Sequence, residues 1–194
     1  MSKTLDTNLT VEEIQWNVCN AIANFRTDII IPNLSWGMLN YEADLVIINK
    51  SHYMTEVEIK RSFSDLKADF KKAEMHNDER VRELWYALPA SIEEKAMQFF
   101  QQKEIGDKCR KMYNDYRRWY PAILWYDEHG SIKKNNQWPY TGKGRKLFLE
   151  EVVKISRLIS IRYWEKIYRM NTMIAENAKQ NGAGRDLLLY NQES

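Results

Sequence analysis

The chain has 194 residues, with 29 lysines and arginines against 27 aspartates and glutamates, a formal net charge of +2 and 44% hydrophobic residues. That length suits one domain, since domains most often run to roughly 100–150 residues, and the apolar content excludes a wholly disordered chain. Seven glycines and four prolines exclude a collagen-like or low-complexity protein, and the total charge lacks the basic excess usual in nucleic-acid binders.

The N-terminal MSKTLDTNLT has no apolar run behind its lysine, so no secretory leader is expected. No stretch approaches the ~20 apolar residues of a membrane-spanning helix, so no membrane contact is expected. Cys19 and Cys109 cannot make a disulfide framework and read as reduced thiols of a cytoplasmic protein. Three separated histidines, His52, His76 and His129, offer no zinc site.

Thr10 followed by Glu13 has the spacing of a capping box, and Val11, Ile14, Val18, Ile22 and Phe25 then recur at helical steps. Three β-like segments follow, at 27–36, 42–49 and 52–60, the first carrying a proline that suits an edge or a bend. The last two are joined by Asn49, Lys50 and Ser51, so they read as an antiparallel hairpin. Helical periodicity over 62–77 places Phe63, Leu66, Phe70 and Ala73 on one stripe, with Ser62 as N-cap. A strand at 81–89 ends in proline; a mostly helical stretch, 91–119, is expected to break at Gly106. A second hairpin spans 121–135 with Glu128, His129 and Gly130 in its turn, and a loop over 134–146 leads to a long helix, 147–178. The tail from 180 reads as frayed. The order predicts an α/β domain over 1–179, a mixed sheet flanked by helices with a long C-terminal helix.

The chemistry lies in the hairpin. Strand alternation puts Glu56, Glu58 and Lys60 on one face and Thr55, Val57 and Ile59 on the other. Folding about Lys50 and Ser51 brings Asp44 opposite Val57 or Glu58, with Lys60 roughly 7 Å from Glu58 along the strand. Asp44, Glu58 and the carbonyl of Ile59 are oxygen ligands suited to Mg²⁺, which polarises a phosphate and acidifies a bound water. The Lys60 ammonium can position that water and stabilise developing negative charge. An ordinary buried strand with exposed Glu–Lys pairs is the competing reading. Against it, like charges this close repel unless a cation offsets them.

Asp44, thirteen intervening residues and then Glu58-Ile59-Lys60, between a helix and strand before and a helix after, resemble the PD-(D/E)xK nuclease superfamily. The segment EVEIKRSFSDLKADFKKA is more similar still to its MmcB-like branch, with Asp65 and Asp69 in the helix positions that follow the motif. LWYALP and PAILWYDEHGSI resemble later strands of that branch, so the similarity covers about 10–165, most specifically 42–72. Ala43 replaces the proline of the nominal motif, and the helical stretch within 91–118 reads as an insertion.

The resemblance implies a restriction-endonuclease-like fold and Mg²⁺- or Mn²⁺-dependent hydrolysis of DNA, in repair or on a mobile element. Asp44 and Glu58 would be ligands, and Lys60 would contact the attacking water or the phosphate. The family's first-helix acid falls on Glu13, with Glu12 as rival, although Glu13 already has a capping role. Glu42 and Glu56 flank the active face, while Asp65 and Asp69 suit the helix macrodipole.

Charge distribution fits DNA better than the total does. Residues 1–58 hold eight acids and three bases, a net of −5, which leaves +7 for the remainder. Candidate phosphate contacts are Arg61 and Lys67 beside the motif, Arg117 and Arg118 among Tyr113, Tyr116 and Trp119, and Lys143 and Arg145 in a Gly-containing loop. That loop, TGKGRK, lacks P-loop spacing. The alternatives are a DNA-binding module without turnover and an assembly protein that dimerises through its last helix, which could equally pack on the sheet.

Overall fold

The computed structural model describes residues 6–34, 39, 41–72, 76 and 78–180, the last three as backbone. The frayed tail expected from 180 lies almost wholly outside those residues. Helix α1 (Val11–Ile22) starts at the expected capping box: Thr10 Oγ1 accepts the Glu13 amide at 3.2 Å, and Glu13 Oε2 accepts the Thr10 amide at 2.7 Å. Strands β1 (Ile29–Leu34), β2 (Ala43–Ile48) and β3 (Met54–Ile59) follow, then α2 (Phe63–Asp69) and β4 (Val81–Pro89). A short 3₁₀ turn leads into α3 (Glu93–Phe100) and α4 (Lys103–Tyr113), then β5 (Ala122–Tyr126), β6 (Ile132–Lys134) and α5 (Leu149–Gln180).

The strands form one six-stranded mixed sheet in the order β1-β2-β3-β4-β5-β6. Pairing is antiparallel for β1–β2, β2–β3 and β5–β6 and parallel for β3–β4 and β4–β5. Parallel neighbours need a long crossover, supplied here by α2 and by α3 with α4. The 91–118 stretch, expected as an insertion, lies within the β4–β5 connection. The strands β2 to β5 are almost continuously buried, as strands covered on both faces should be. The turn between β2 and β3 is held by Asn49 Oδ1, which accepts the amides of Ser51 and Tyr53.

Two expected elements differ. Helix α2 ends at Asp69 instead of running to 77, because Phe70 turns its ring into a cluster with Tyr86, Phe99 and Phe100. His76 then lies in a bend and faces the sheet. The break in the 91–119 stretch falls at Gln101 and Gln102, with Gly106 inside α4. Gly106 is there for close approach: a Cβ would stand 2.8 Å from the Trp119 ring.

By internal contacts the chain divides into two units, Met1–Leu149, which holds the whole sheet, and Glu150–Ser194, which holds α5 from its second residue onward. Among the described residues no helix is long and apolar enough to cross a membrane. Cys19 and Cys109 are free and buried, and burial pushes their thiols up to about 11 and about 12.

The loop before α5 lies directly on β4. Gly144 has φ +82°, and a Cβ on it would meet the Arg82 backbone at 2.2 Å. Gly144→Ala should therefore cost about 2 kcal/mol or more, combining left-handed strain with a backbone clash. Urea denaturation checks this, with Gly142→Ala, whose nearest neighbour is an Asn114 side chain at 3.2 Å, as the milder comparison.

Candidate active site

The β2–β3 register sets Leu45 against Val57, which carries Asp44 to the position opposite Glu58. Parallel pairing sets Glu56 against Leu84 and Glu58 against Tyr86, so these side chains share the sheet face on which α2 lies. This face carries Glu56, Glu58 and Lys60, all buried, the last two only 3% and 9% exposed. The chain thus buries charge where a sheet under a helix normally buries aliphatic side chains.

Each charged group has a defined partner. Asp44 Oδ2 accepts the Ile59 amide at 2.7 Å, and Gln15 Nε2 of α1 donates to the Asp44 carbonyl at 2.7 Å. Lys60 Nζ lies 2.6 Å from Glu58 Oε2 and 3.3 Å from Asp69 Oδ1. His76 Nδ1 lies 2.6 Å from Glu56 Oε1, and its Nε2 lies 3.3 Å from Asp69 Oδ2. Tyr41 donates to Glu56 Oε2 at 2.7 Å and Tyr86 to Asp69 Oδ2 at 3.0 Å.

Burial, and then the Glu58 charge, push the half-buried Asp44 carboxyl up to about 6. Burial likewise raises Glu58, although His76 and Lys60 pull the other way. For Lys60, burial opposes the charged form, but Glu58 and Asp69 outweigh it and hold the ammonium above its ordinary range. Burial also opposes the His76 imidazolium, yet Asp69 and Glu56 lift it to about 10. Asp69 is held well below the carboxylate range despite its burial, by hydrogen bonding to His76 and by Lys60.

Two carboxyls that burial and a neighbouring carboxylate, Glu58 for Asp44 and Glu56 for Glu58, push toward neutrality fit an oxygen-liganded cation. Glu58 Oε1 strengthens that fit, because it is buried and has no hydrogen-bond partner among the described residues. Asp44 and Glu58, with the Ile59 carbonyl, are the groups that could hold Mg²⁺ or Mn²⁺.

The structure brings together Asp44, Glu58, Lys60 and Ile59. Glu13 is exposed and committed to the α1 cap; the α1 side chain that reaches the Asp44 segment is Gln15. Glu12 and Glu42 are exposed. Arg61 follows Lys60, with a buried Nε lacking a hydrogen-bond partner among the described residues, and its charge helps lower the Glu13 carboxyl. Lys67 is exposed, with its Nζ over the Phe63 ring. Arg117 is exposed and donates to the Tyr116 hydroxyl, whereas Arg118 is only 5% exposed, its guanidinium stacked on Tyr113. Lys143 is exposed, and Arg145 is paired with Glu79 at 3.1 Å.

Asp69 and His76 belong to the cluster, although Asp69 was expected to serve the helix dipole and His76 to be unrelated to any site. One signal was available for Asp69: it stands three residues after Leu66 and beside Phe70, so an acid falls on the buried stripe of α2. Comparison with protein-family models, curated proteins and solved structures finds no match to this chain.

The His76 imidazolium, facing Asp69, Glu56 and Glu58, has a folded value of about 10 against an ordinary 6.5. A raised value means its stabilisation is complete below 6.5 and lost as pH rises toward 10, at up to about 1.4 kcal/mol per pH unit. In EDTA, thermal melts of the wild type should therefore fall in midpoint from pH 7 to pH 10. His76→Gln should flatten that dependence.

Proposed function

We propose that this chain is a metal-dependent nuclease of restriction-endonuclease-like fold that hydrolyses DNA phosphodiester bonds. One observation carries the reading: the hairpin register that sets Asp44 across from Glu58, with Lys60 Nζ 2.6 Å from the Glu58 carboxylate. The order of elements, a helix, three antiparallel strands, a helix and a parallel fourth strand, supports it.

Asp44, Glu58 and the Ile59 carbonyl would hold the cation, which supplies a polarised phosphate and an acidified water. Asp44 is fixed through the Ile59 amide, so the β2 acid and the end of β3 move as one unit. Lys60 is kept protonated by Glu58 and Asp69, and it offers fixed positive charge to the phosphate oxygens or the nucleophile. Asp69 positions that ammonium, with Tyr86 and His76 fixing Asp69 in turn. The exposed Lys67, Arg117 and Lys143 supply phosphate contacts, and the exposed, stacked Trp138 and Tyr140 rings offer faces to unpaired bases.

One observation favours a binding module of the same fold: the Lys60 ammonium is buried and already engaged by two carboxylates. A cleavage assay separates the two. With Mg²⁺ or Mn²⁺, Asp44→Asn, Glu58→Gln and Lys60→Met should each slow DNA cleavage by about 10²-fold or more while circular dichroism stays native. Wild-type binding without cleavage under both metals would leave the module standing and the nuclease refuted.

A further inference from the structure

We propose a second divalent-cation site, made by Glu56, Glu58 and His76, one pleat along β3 from the Asp44–Glu58 row. It stands without the nuclease reading, since it rests on the arrangement of donor atoms alone. Glu56 and Glu58 share a face of β3, and His76 comes back over that face after α2 ends. One ligand atom from each lies within 4.8 Å of the other two.

The atoms that face away from this gap are all occupied. Glu56 Oε2 takes the Tyr41 hydroxyl at 2.7 Å, and Glu58 Oε2 takes the Lys60 ammonium at 2.6 Å. His76 Nε2 lies against Asp69 Oδ2 at 3.3 Å. A carboxylate on the distal ring nitrogen is the arrangement that fixes the tautomer and orientation of a metal-bound imidazole. What faces inward is Glu56 Oε1, His76 Nδ1 and Glu58 Oε1, the last a bridging oxygen shared with the Asp44–Glu58 row.

An independent observation points to a ligand. Glu58 Oε1 is buried, has no hydrogen-bond partner among the described residues and lies 3.6 Å from His76 Nδ1. A purely structural imidazolium satisfies Glu56, at 2.6 Å, and leaves this second oxygen without a donor. A cation at the centre of the three atoms would serve all of them. Two carboxylate oxygens with an imidazole nitrogen suit Mn²⁺ or Zn²⁺ better than Mg²⁺, which prefers oxygen and retained water. On binding, His76 Nδ1 gives up its proton to solvent and donates its lone pair to the ion, and two carboxylates balance the divalent charge.

Calorimetric titration of the full chain with Mn²⁺ tests the site. Two equivalents should bind in the wild type, one of them should persist in Asp44→Asn, and His76→Gln should weaken that one about tenfold or more. A second measurement avoids the risk that a buried variant misfolds. With only three histidines in the chain, Zn²⁺ added to ¹⁵N-histidine-labelled wild type should move the His76 Nδ1 resonance and leave His52 and His129 in place. An unmoved His76 resonance, or Mn²⁺ uptake that vanishes in Asp44→Asn and survives His76→Gln, overturns this site and leaves the Asp44–Glu58 reading intact. Metal on His76 in a chain that cleaves no DNA has the opposite meaning: the site stands and the nuclease reading fails.

Discussion

Four carboxylates, those of Asp44, Glu56, Glu58 and Asp69, gather on and against one face of a sheet that is otherwise packed with aliphatic and aromatic side chains. Taking such charges out of water costs several kcal/mol each after relaxation, and the cost is recovered only by close, well-oriented partners. The chain supplies two buried cations. Lys60 bridges Glu58 and Asp69, while His76 bridges Glu56 and Asp69. Asp69 is thus the common partner of both, and the bend that follows α2 makes this pairing possible. Extending the helix along its axis would carry residue 76 away from β3, whereas the bend returns His76 to it.

That requirement reaches into the rest of the fold. Tyr41 before β2 and Tyr86 on β4 each give a hydroxyl to the cluster. Phe70, next to Asp69, anchors the aromatic group that ties α2 to α3. Lys60 also closes the backbone on both sides, its amide donating to Ala87 and its carbonyl accepting from Tyr126. The charged face and the hydrophobic core are therefore built by the same residues. A change at one is felt at the other.

Most of the sheet was legible in the sequence because strand alternation and turn chemistry are local. The hairpin joined by Asn49 to Ser51 narrowed the β2–β3 register to Asp44 opposite Val57 or Glu58, and the structure takes Glu58. Ser62 as the α2 cap and Thr10 with Glu13 as the α1 cap were visible for the same reason. What periodicity could not supply were the positions settled by tertiary packing. The helical pattern through 62–77 gave no sign that Phe70 would turn into a ring cluster and end α2, so His76 read as isolated. Gly106 read as a helix breaker, and its real reason, the Trp119 ring thirteen residues away that occupies the space of a Cβ, was not local. Arg118 read as a surface cation, but it lies stacked on Tyr113.

The cluster is short of positive charge. Against four carboxylates stand Lys60, His76 and a Lys72 ammonium whose side chain is mostly in solvent and contributes correspondingly less. The shortage is expressed unevenly. Asp69, which touches Lys60, Lys72 and His76, is held far into its ionised range, whereas Asp44 and Glu58 are pushed toward neutrality. Positive charge is therefore missing on the β2–β3 side of the face, at the half-buried Asp44 and the orphan oxygen of Glu58. A fully compensated ion network would have no reason to attract a divalent ion, and an uncompensated one would not fold around it. The distribution here falls between these limits, with Lys60, Lys72 and His76 converging on Asp69, where they support the fold, and Glu58 Oε1 left without a hydrogen-bond donor among the described residues.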